Sequence, residues 1–247
     1  MSVDTSTGQH FPANSMMFEF DAEVISVFEN MSRRSIPGYE HAYKMIGHFA
    51  SRYPWPETGA EVWDFGTTIG KALSTIRDAI HLAPYINYHG LDVSIASVDK
   101  TQDALPWSKV HLHDLRDGLF PENYAPVFPA HMMVFGYTLQ FIQDVAIRRD
   151  LIKQAYAALA EGGMLFVMEK YTLLDPTINR VAQDAYIQFR RDNGYTLDEI
   201  KAKGKALENS MWPSSPEFME ASMRDAGFTN INVLYRDLNF GGFVAIK

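Results

Sequence analysis

Between residues 60 and 170 the chain alternates short apolar runs with amphipathic stretches. Residues 60–65 read as a buried strand and 70–80 as the helix that follows it. Residues 86–92 predict a second strand, 94–103 a helix, 109–113 a short third strand and 130–135 a fourth. Over 145–159, Val145, Ile152, Ala155, Tyr156 and Leu159 share one helical face. Glu161-Gly162-Gly163 then supplies a helix stop, and 164–169 a fifth strand. Strands alternating with helices in this way predict a parallel sheet covered on both faces.

Past residue 170 the periodicity changes. Residues 176–191 and 197–207 have helical spacing with no strand between them. Ser214 and Glu217 have capping-box spacing and open a further helix, which carries Met219, Met223 and Ala226 and stops at Gly227. Residues 231–238 and 240–246 read as two strands with a very short link, hence antiparallel neighbours. The expected architecture is α/β and Rossmann-like: a seven-stranded, mostly parallel sheet with an antiparallel C-terminal strand and a helical insertion at about 172–213. This element order is that of a class I methyltransferase. Residues 18–247 are expected to form one domain behind a polar, flexible leader at 1–17.

Composition narrows the chemistry. The chain has no Cys, which excludes disulfides, zinc thiolates and thiol nucleophiles. Its net charge of -8 argues against broad attraction to nucleic acid or anionic membrane. A small-molecule acceptor is therefore favoured over nucleic acid. The pairs Arg148/Arg149 and Arg190/Arg191 could meet a tRNA, but such pairs read first as solvated helix faces. No apolar run of 18 residues and no signal peptide is present, so the expectation is a cytoplasmic protein without a membrane span.

The candidate chemistry gathers at the predicted strand ends. In Glu61-Val-Trp-Asp-Phe-Gly-Thr-Thr-Ile-Gly70 an apolar run ends in an acid and two glycines follow. Glycine at a strand-to-helix turn lets backbone approach a ligand that a Cβ would block, and the next helix offers unpaired N–H groups. Asp64 can orient this loop or face a ligand amino group. Asp92, at the end of the second strand, can accept both hydroxyls of a ribose, or it can cap the next helix. Asp114 and the Leu115 amide can pair with an adenine edge; the alternative for Asp114 is a turn residue. Gly136 and Tyr137 follow the fourth strand, where this fold places the reacting sulfonium, although such a Tyr is more often simply packed. Glu169 can serve as a base, or it can form a partly exposed ion pair with Lys170. His111 and His113 lack metal-site spacing, so no metal is expected. Neither a Ser-His-Asp elbow nor a P-loop is present.

Arg34-Ser-Ile-Pro-Gly-Tyr39, Tyr137-Thr-Leu-Gln-Phe141, Glu169-Lys170, Asn193-Gly-Tyr195, Leu207-Glu-Asn209 and Asn239-Phe-Gly241 lie in the order found in the carboxy-S-adenosyl-L-methionine synthase family, which the chain resembles from about Phe18 onward. The resemblance implies S-adenosyl-L-methionine as cofactor, with carboxy-S-adenosyl-L-methionine as the modified form. It implies that Tyr39 closes over the cofactor and that Gly66, Thr67 and Thr68 form its glycine loop. Asp92 and Val93 would meet the ribose, Asp114 and Leu115 the adenine, and the insertion would contribute to a homodimer. Three positions depart from the family: Gly136 replaces an Asn, Gly204 replaces an Arg that binds the extra carboxylate, and Phe20-Asp-Ala-Glu23 replaces Phe-Asp-Glu-Arg. Lys203 and Lys205 flank Gly204 as substitutes, but Lys is a poorer bidentate partner than Arg. These departures rank methyl transfer from S-adenosyl-L-methionine to an unidentified acceptor first, with Tyr39, Tyr137 and Glu169 placing or deprotonating it. Carboxy-S-adenosyl-L-methionine synthesis from S-adenosyl-L-methionine and prephenate, linked to tRNA wobble uridine modification, is the alternative. A non-catalytic cofactor-binding dimeric scaffold is the third reading.

Overall fold

The structure, a computed structural model, describes residues 20–80, 85–122, 124 and 127–247. The leader expected at 1–17 lies outside them. Two helices that the apolar pattern did not announce come first, α1 (Ala22–Ser35) and α2 (Tyr39–Arg52). Asp21 caps α1 by accepting from the Val24 amide at 2.9 Å. The chain then runs β1 (Ala60–Phe65), α3 (Lys71–Ala79), β2 (Ile86–Asp92), α4 (Ile95–Ala104), β3 (Lys109–Leu112), β4 (Ala130–Gly136), α5 (Val145–Ala158) and β5 (Leu159–Lys170). The rest is α6 (Pro176–Asp192), α7 (Leu197–Leu207), α8 (Pro216–Ala226), β6 (Asn230–Asp237) and β7 (Phe240–Ile246).

The sheet order is β3-β2-β1-β4-β5-β7-β6. Strands β1 to β5 pair in parallel, and β7 runs antiparallel to both β5 and β6. Alternate residues of the central strands serve opposite faces, as the pleat requires. Trp63, Phe65, Met133 and Phe135 pack beneath α5 and α8, while Val62, Met132 and Val134 pack beneath α2 and α3. Burial on both sides explains why these strands read as continuous apolar runs.

Two local expectations are corrected. Glu161-Gly162-Gly163 is not a stop before a later strand, because β5 begins directly at Leu159 and includes it. The β4–β5 register shifts there, and a Cβ on Gly163 would crowd the carbonyl oxygens of Ala160 at 2.8 Å and Ala130 at 3.1 Å. The cap of α8 is Ser215, not Ser214: its hydroxyl accepts from the Phe218 amide at 3.1 Å. Pro216 at the first helical position sets that register, since its fixed φ suits N1 and it has no N–H to leave unpaired.

Candidate functional site

Register places the carboxyl ends of β1, β2, β3 and β4 side by side, since Phe65 pairs with Leu91 and Phe135, and Asp92 with Leu112. The turns leaving these strands line one cavity of about 1310 Å³. That exceeds the roughly 300–1,000 Å³ usual for a single small ligand and leaves room for two molecules.

The first wall is the turn after β1. Gly66 has φ 77°, and a Cβ there would overlap the Thr138 side chain. Thr68 also adopts a left-handed φ of 51°, a strained state for a branched residue that marks functional turns. Asp64 lies beneath, buried outside the cavity lining; it accepts from Thr67 Oγ1 at 2.9 Å and is pushed up to about 7 by burial. It therefore orients the loop from below. Asp92 lines the cavity and accepts the Thr68 amide on Oδ2 and the Ser94 amide on Oδ1, each at 2.9 Å. Ser94 itself caps α4, so the capping reading does not account for Asp92. Burial raises its pKa while these amides oppose the rise. Val93 is exposed at the rim of the same cavity.

Asp114 and Leu115 line the neighbouring wall, Leu115 being buried. Asp114 accepts from its own turn at Arg116 N (2.9 Å) and is clasped by the Arg116 guanidinium, which holds it below the usual carboxylate range. Gly136 and Tyr137 form the floor. Tyr137 has φ 61°, and its hydroxyl is bonded to Tyr235 Oη at 2.7 Å in the protein interior. That engagement fits the packed-Tyr reading. Tyr39 is buried at the start of α2, its ring stacked on that of Tyr137 with centroids 6.0 Å apart.

Glu169 departs from expectation. It is buried and outside the cavity, where its oxygens accept the amides of Leu139 (2.9 Å) and Gln140 (2.8 Å). This makes it a positioning group for the turn after β4 rather than a base. Nor is it an ion-pair partner of Lys170, whose ammonium enters the cavity 5.0 Å from the centroid of Tyr186. The basic pairs are corrected too. Arg148 is buried, donating Nε to the Ile142 carbonyl at 2.5 Å, and Arg190 lines the cavity with its guanidinium 4.1 Å from the Tyr186 centroid.

Arg190 and Lys170 thus join Lys203 in one wall. The buried Lys203 donates to Ser35 Oγ at 3.1 Å. Burial, then Arg190, Lys170 and Arg34, pushes Lys203 down to about 7; burial, then Arg190, pushes Lys170 down to about 8. Arg190 Nε is buried with no hydrogen-bond partner, and neither Lys170 nor Arg190 has a carboxylate within ion-pair distance among the described residues. Cations that repel one another at a cavity wall suit an anion. Gly204 lines this wall, and a Cβ there would meet nothing within 4 Å. Lys205 lines it as well. Sequence reasoning missed Lys170, Arg190 and Tyr43 as cavity residues; only the adjacency of Lys170 to a predicted strand end could have signalled one of them.

No family model matches the chain. It is 34% identical over 232 residues to a carboxy-S-adenosyl-L-methionine synthase of Helicobacter hepaticus, covering 93% of this chain and 95% of the relative. A protein of the same name from Chromohalobacter salexigens is 35% identical over 232 residues, covering 93% of this chain and 83% of the relative. Among solved structures, human N-acetylserotonin methyltransferase in complex with S-adenosyl-L-methionine superposes with a TM-score of 0.56 at 12% identity, covering 92% of this chain and 55% of that one. An O-methyltransferase family 2 protein from Planctomyces limnophilus in complex with apigenin gives 0.56 at 16% identity, covering 93% and 62%. These distant likenesses show the Rossmann-like methyltransferase fold.

Proposed function

The chain belongs to the carboxy-S-adenosyl-L-methionine synthase family, and from that membership we propose that it binds S-adenosyl-L-methionine and transfers the ring carboxylate of prephenate to its methyl carbon, the methyl proton leaving with the prephenate hydroxyl as water and phenylpyruvate being released. The observation that carries this reading is that Lys170, Arg190 and Lys203 line the same cavity as the glycine turn and Asp92. A closed site leaves an added negative charge costly unless a cation meets it. The absence of an Arg at 204 ranked methyl transfer first on sequence alone; the convergence of three other cations reverses that order.

The residues fit the cofactor. The bare Gly66 lets the turn after β1 pack directly on the Thr138 side chain at the cavity edge, and Thr67 and Thr68 complete the turn. Asp92 and Val93 hold the ribose, Asp114 and Leu115 the adenine, and Tyr39 covers the pocket. When bound, the cofactor supplies a methyl group activated by a positive sulfonium. Tyr39 and Tyr137 exclude water and set the floor on which the two molecules meet. Glu169 holds the turn that carries Tyr137. The three cations orient the carboxylate of the donor and of the product.

Mass spectrometry of the ligand released by denaturing the purified protein, and of products formed from S-adenosyl-L-methionine and prephenate, tests this reading. A mass increment for one carboxylate is expected. Unmodified S-adenosyl-L-methionine, with methyl transfer to a small-molecule acceptor, would restore the second reading, which the open space at Gly204 favours. Binding with no turnover of any kind would leave the scaffold. The proposal extends to one domain spanning 18–247 with its insertion at about 172–213, to a homodimer and to a cytoplasmic site of action. Among the described residues no helix is long and apolar enough to cross a membrane. Sedimentation of the purified protein checks the dimer.

A further inference from the structure

We propose that Tyr43 is a ligand-facing, specificity-determining residue whose hydroxyl and the bare Cα of Gly136 form one matched unit at the cavity floor. The inference rests on the reading of this cavity as an adenosylmethionine pocket.

A Cβ built on Gly136 would lie 2.8 Å from Tyr43 Oη and 3.8 Å from its Cζ, with Met168 Cε at 3.6 Å. Gly136 is not among the glycines with left-handed φ, so its backbone does not demand glycine. The space does. Gly136 ends β4, which lies between β1 and β5 in the middle of the sheet. This is the carboxyl edge at which parallel sheets present ligands. The volume that a side chain on the last residue of β4 would enter is filled instead by a hydroxyl delivered from α2.

Helical spacing sets that delivery. Tyr43 follows Tyr39 by four residues, so both project from one face of α2. Their rings meet edge to face with centroids 5.0 Å apart. Met168 closes the other side. Tyr43 is buried yet lines the cavity beside Gly66 and Gly136. Burial, then the proximity of Tyr39 and Asp64, drives its pKa well above that of a free phenol, so the hydroxyl keeps its proton. A neutral hydroxyl fixed at both flanks donates to an oxygen lone pair, and a carboxylate oxygen is the strongest acceptor available to it. Two carboxylates qualify: that of the amino-acid end of S-adenosyl-L-methionine, and that of the anionic co-substrate.

The experiment combines Tyr43→Phe, Gly136→Asn, Tyr43→Ala and the Tyr43→Ala/Gly136→Asn double variant. Calorimetry with S-adenosyl-L-methionine and steady-state kinetics with prephenate provide the readouts. Tyr43→Phe keeps the ring and removes only the hydroxyl, so a loss of about tenfold to a hundredfold is expected. It falls on S-adenosyl-L-methionine affinity if the cofactor carboxylate is the acceptor, and on the KM for prephenate if the co-substrate is. Gly136→Asn should lose more than tenfold alone, because its side chain meets Tyr43 Oη, and should recover at least part of that loss when Tyr43 is Ala. Normal S-adenosyl-L-methionine binding and KM in Tyr43→Phe would overturn the ligand-facing role. Equal damage from Gly136→Asn in both backgrounds would overturn the pairing. Failure of the unmodified protein to bind S-adenosyl-L-methionine would instead sink the cofactor reading on which this role rests.

Discussion

Both oxygens of Glu169 accept backbone amides, at 2.9 Å from Leu139 and 2.8 Å from Gln140. A glutamine can accept only one of them and turns its own N–H toward the other. Glu169→Gln is therefore expected to lower stability by about 1–3 kcal/mol in denaturant melts. Burial outweighs Arg148 and the amides and pushes Glu169 from 4.5 up to about 8. A folded pKa above the unfolded one means that the native state holds the proton more tightly. This contribution to stability is full below about pH 4.5 and is lost as pH rises through about 8. Melts between pH 5 and about 9 should show the native protein losing stability relative to Glu169→Gln. Asp92 makes a contrasting case, because it faces the cavity and fastens the loop at once. Asp92→Ala is expected to weaken S-adenosyl-L-methionine binding at least tenfold by calorimetry, since charge-assisted hydrogen bonds are lost. The two acids sit alike in sequence, each closing an apolar run. Burial and amide geometry separate them, and neither is written in local residue order.

Helix α7 holds Gly204 in its interior with open space around the missing Cβ. Gly204→Ala should raise stability by about 1 kcal/mol through helix propensity alone, read from the denaturation midpoint. The same helix presents Lys203 to Lys170 from β5 and Arg190 from α6. Lys203 has a folded pKa near 7, well below its ordinary 10.5, so its charge costs native stability below about pH 7, and that cost is relieved progressively as pH rises from about 7 to 10.5. A bound carboxylate should draw a proton back onto it. Prephenate binding is then expected to take up protons and to weaken as pH climbs from about 7 to 9, which calorimetry in buffers of different ionisation enthalpy will show. At this scale strand and helix types between β1 and α8 were legible from periodicity. Boundaries that hinge on a bulge or a proline were not: the Gly162-Gly163 shift needed β4 and β7 beside it, and Pro216 moved the cap by one residue. Helices α1 and α2 lie before the strand–helix alternation and were not read, although α2 carries a regular buried stripe of Tyr39, Ala42, Tyr43, Ile46 and Ala50; distant segments complete their packing. Tyr186 Oη donates to the Ser35 carbonyl at 2.9 Å, and Arg34 Nε to the Asn193 carbonyl at 2.7 Å.

Across the molecule, one cavity joins residues from α1 to β7. A ligand that binds only the folded chain stabilises it, by about 2.7 kcal/mol at a hundred times its Kd. For a chain of this length that amounts to about 5–10 °C in Tm. Thermal melts with saturating S-adenosyl-L-methionine should show this shift, and no shift would argue against the proposed cofactor. The order of strands and helices, and the turns that bring Gly66, Asp92, Asp114 and Gly136 to one sheet edge, follow from local periodicity and turn chemistry. Parallel connections then place successive strand ends together whatever the loops contain. The meaning of Glu169, Lys170, Arg190 and Tyr43 depends on partners far away in the chain. Whether a charge is buried, paired or turned into a cavity is set by desolvation and packing between distant segments, and those quantities exist only once the chain has folded.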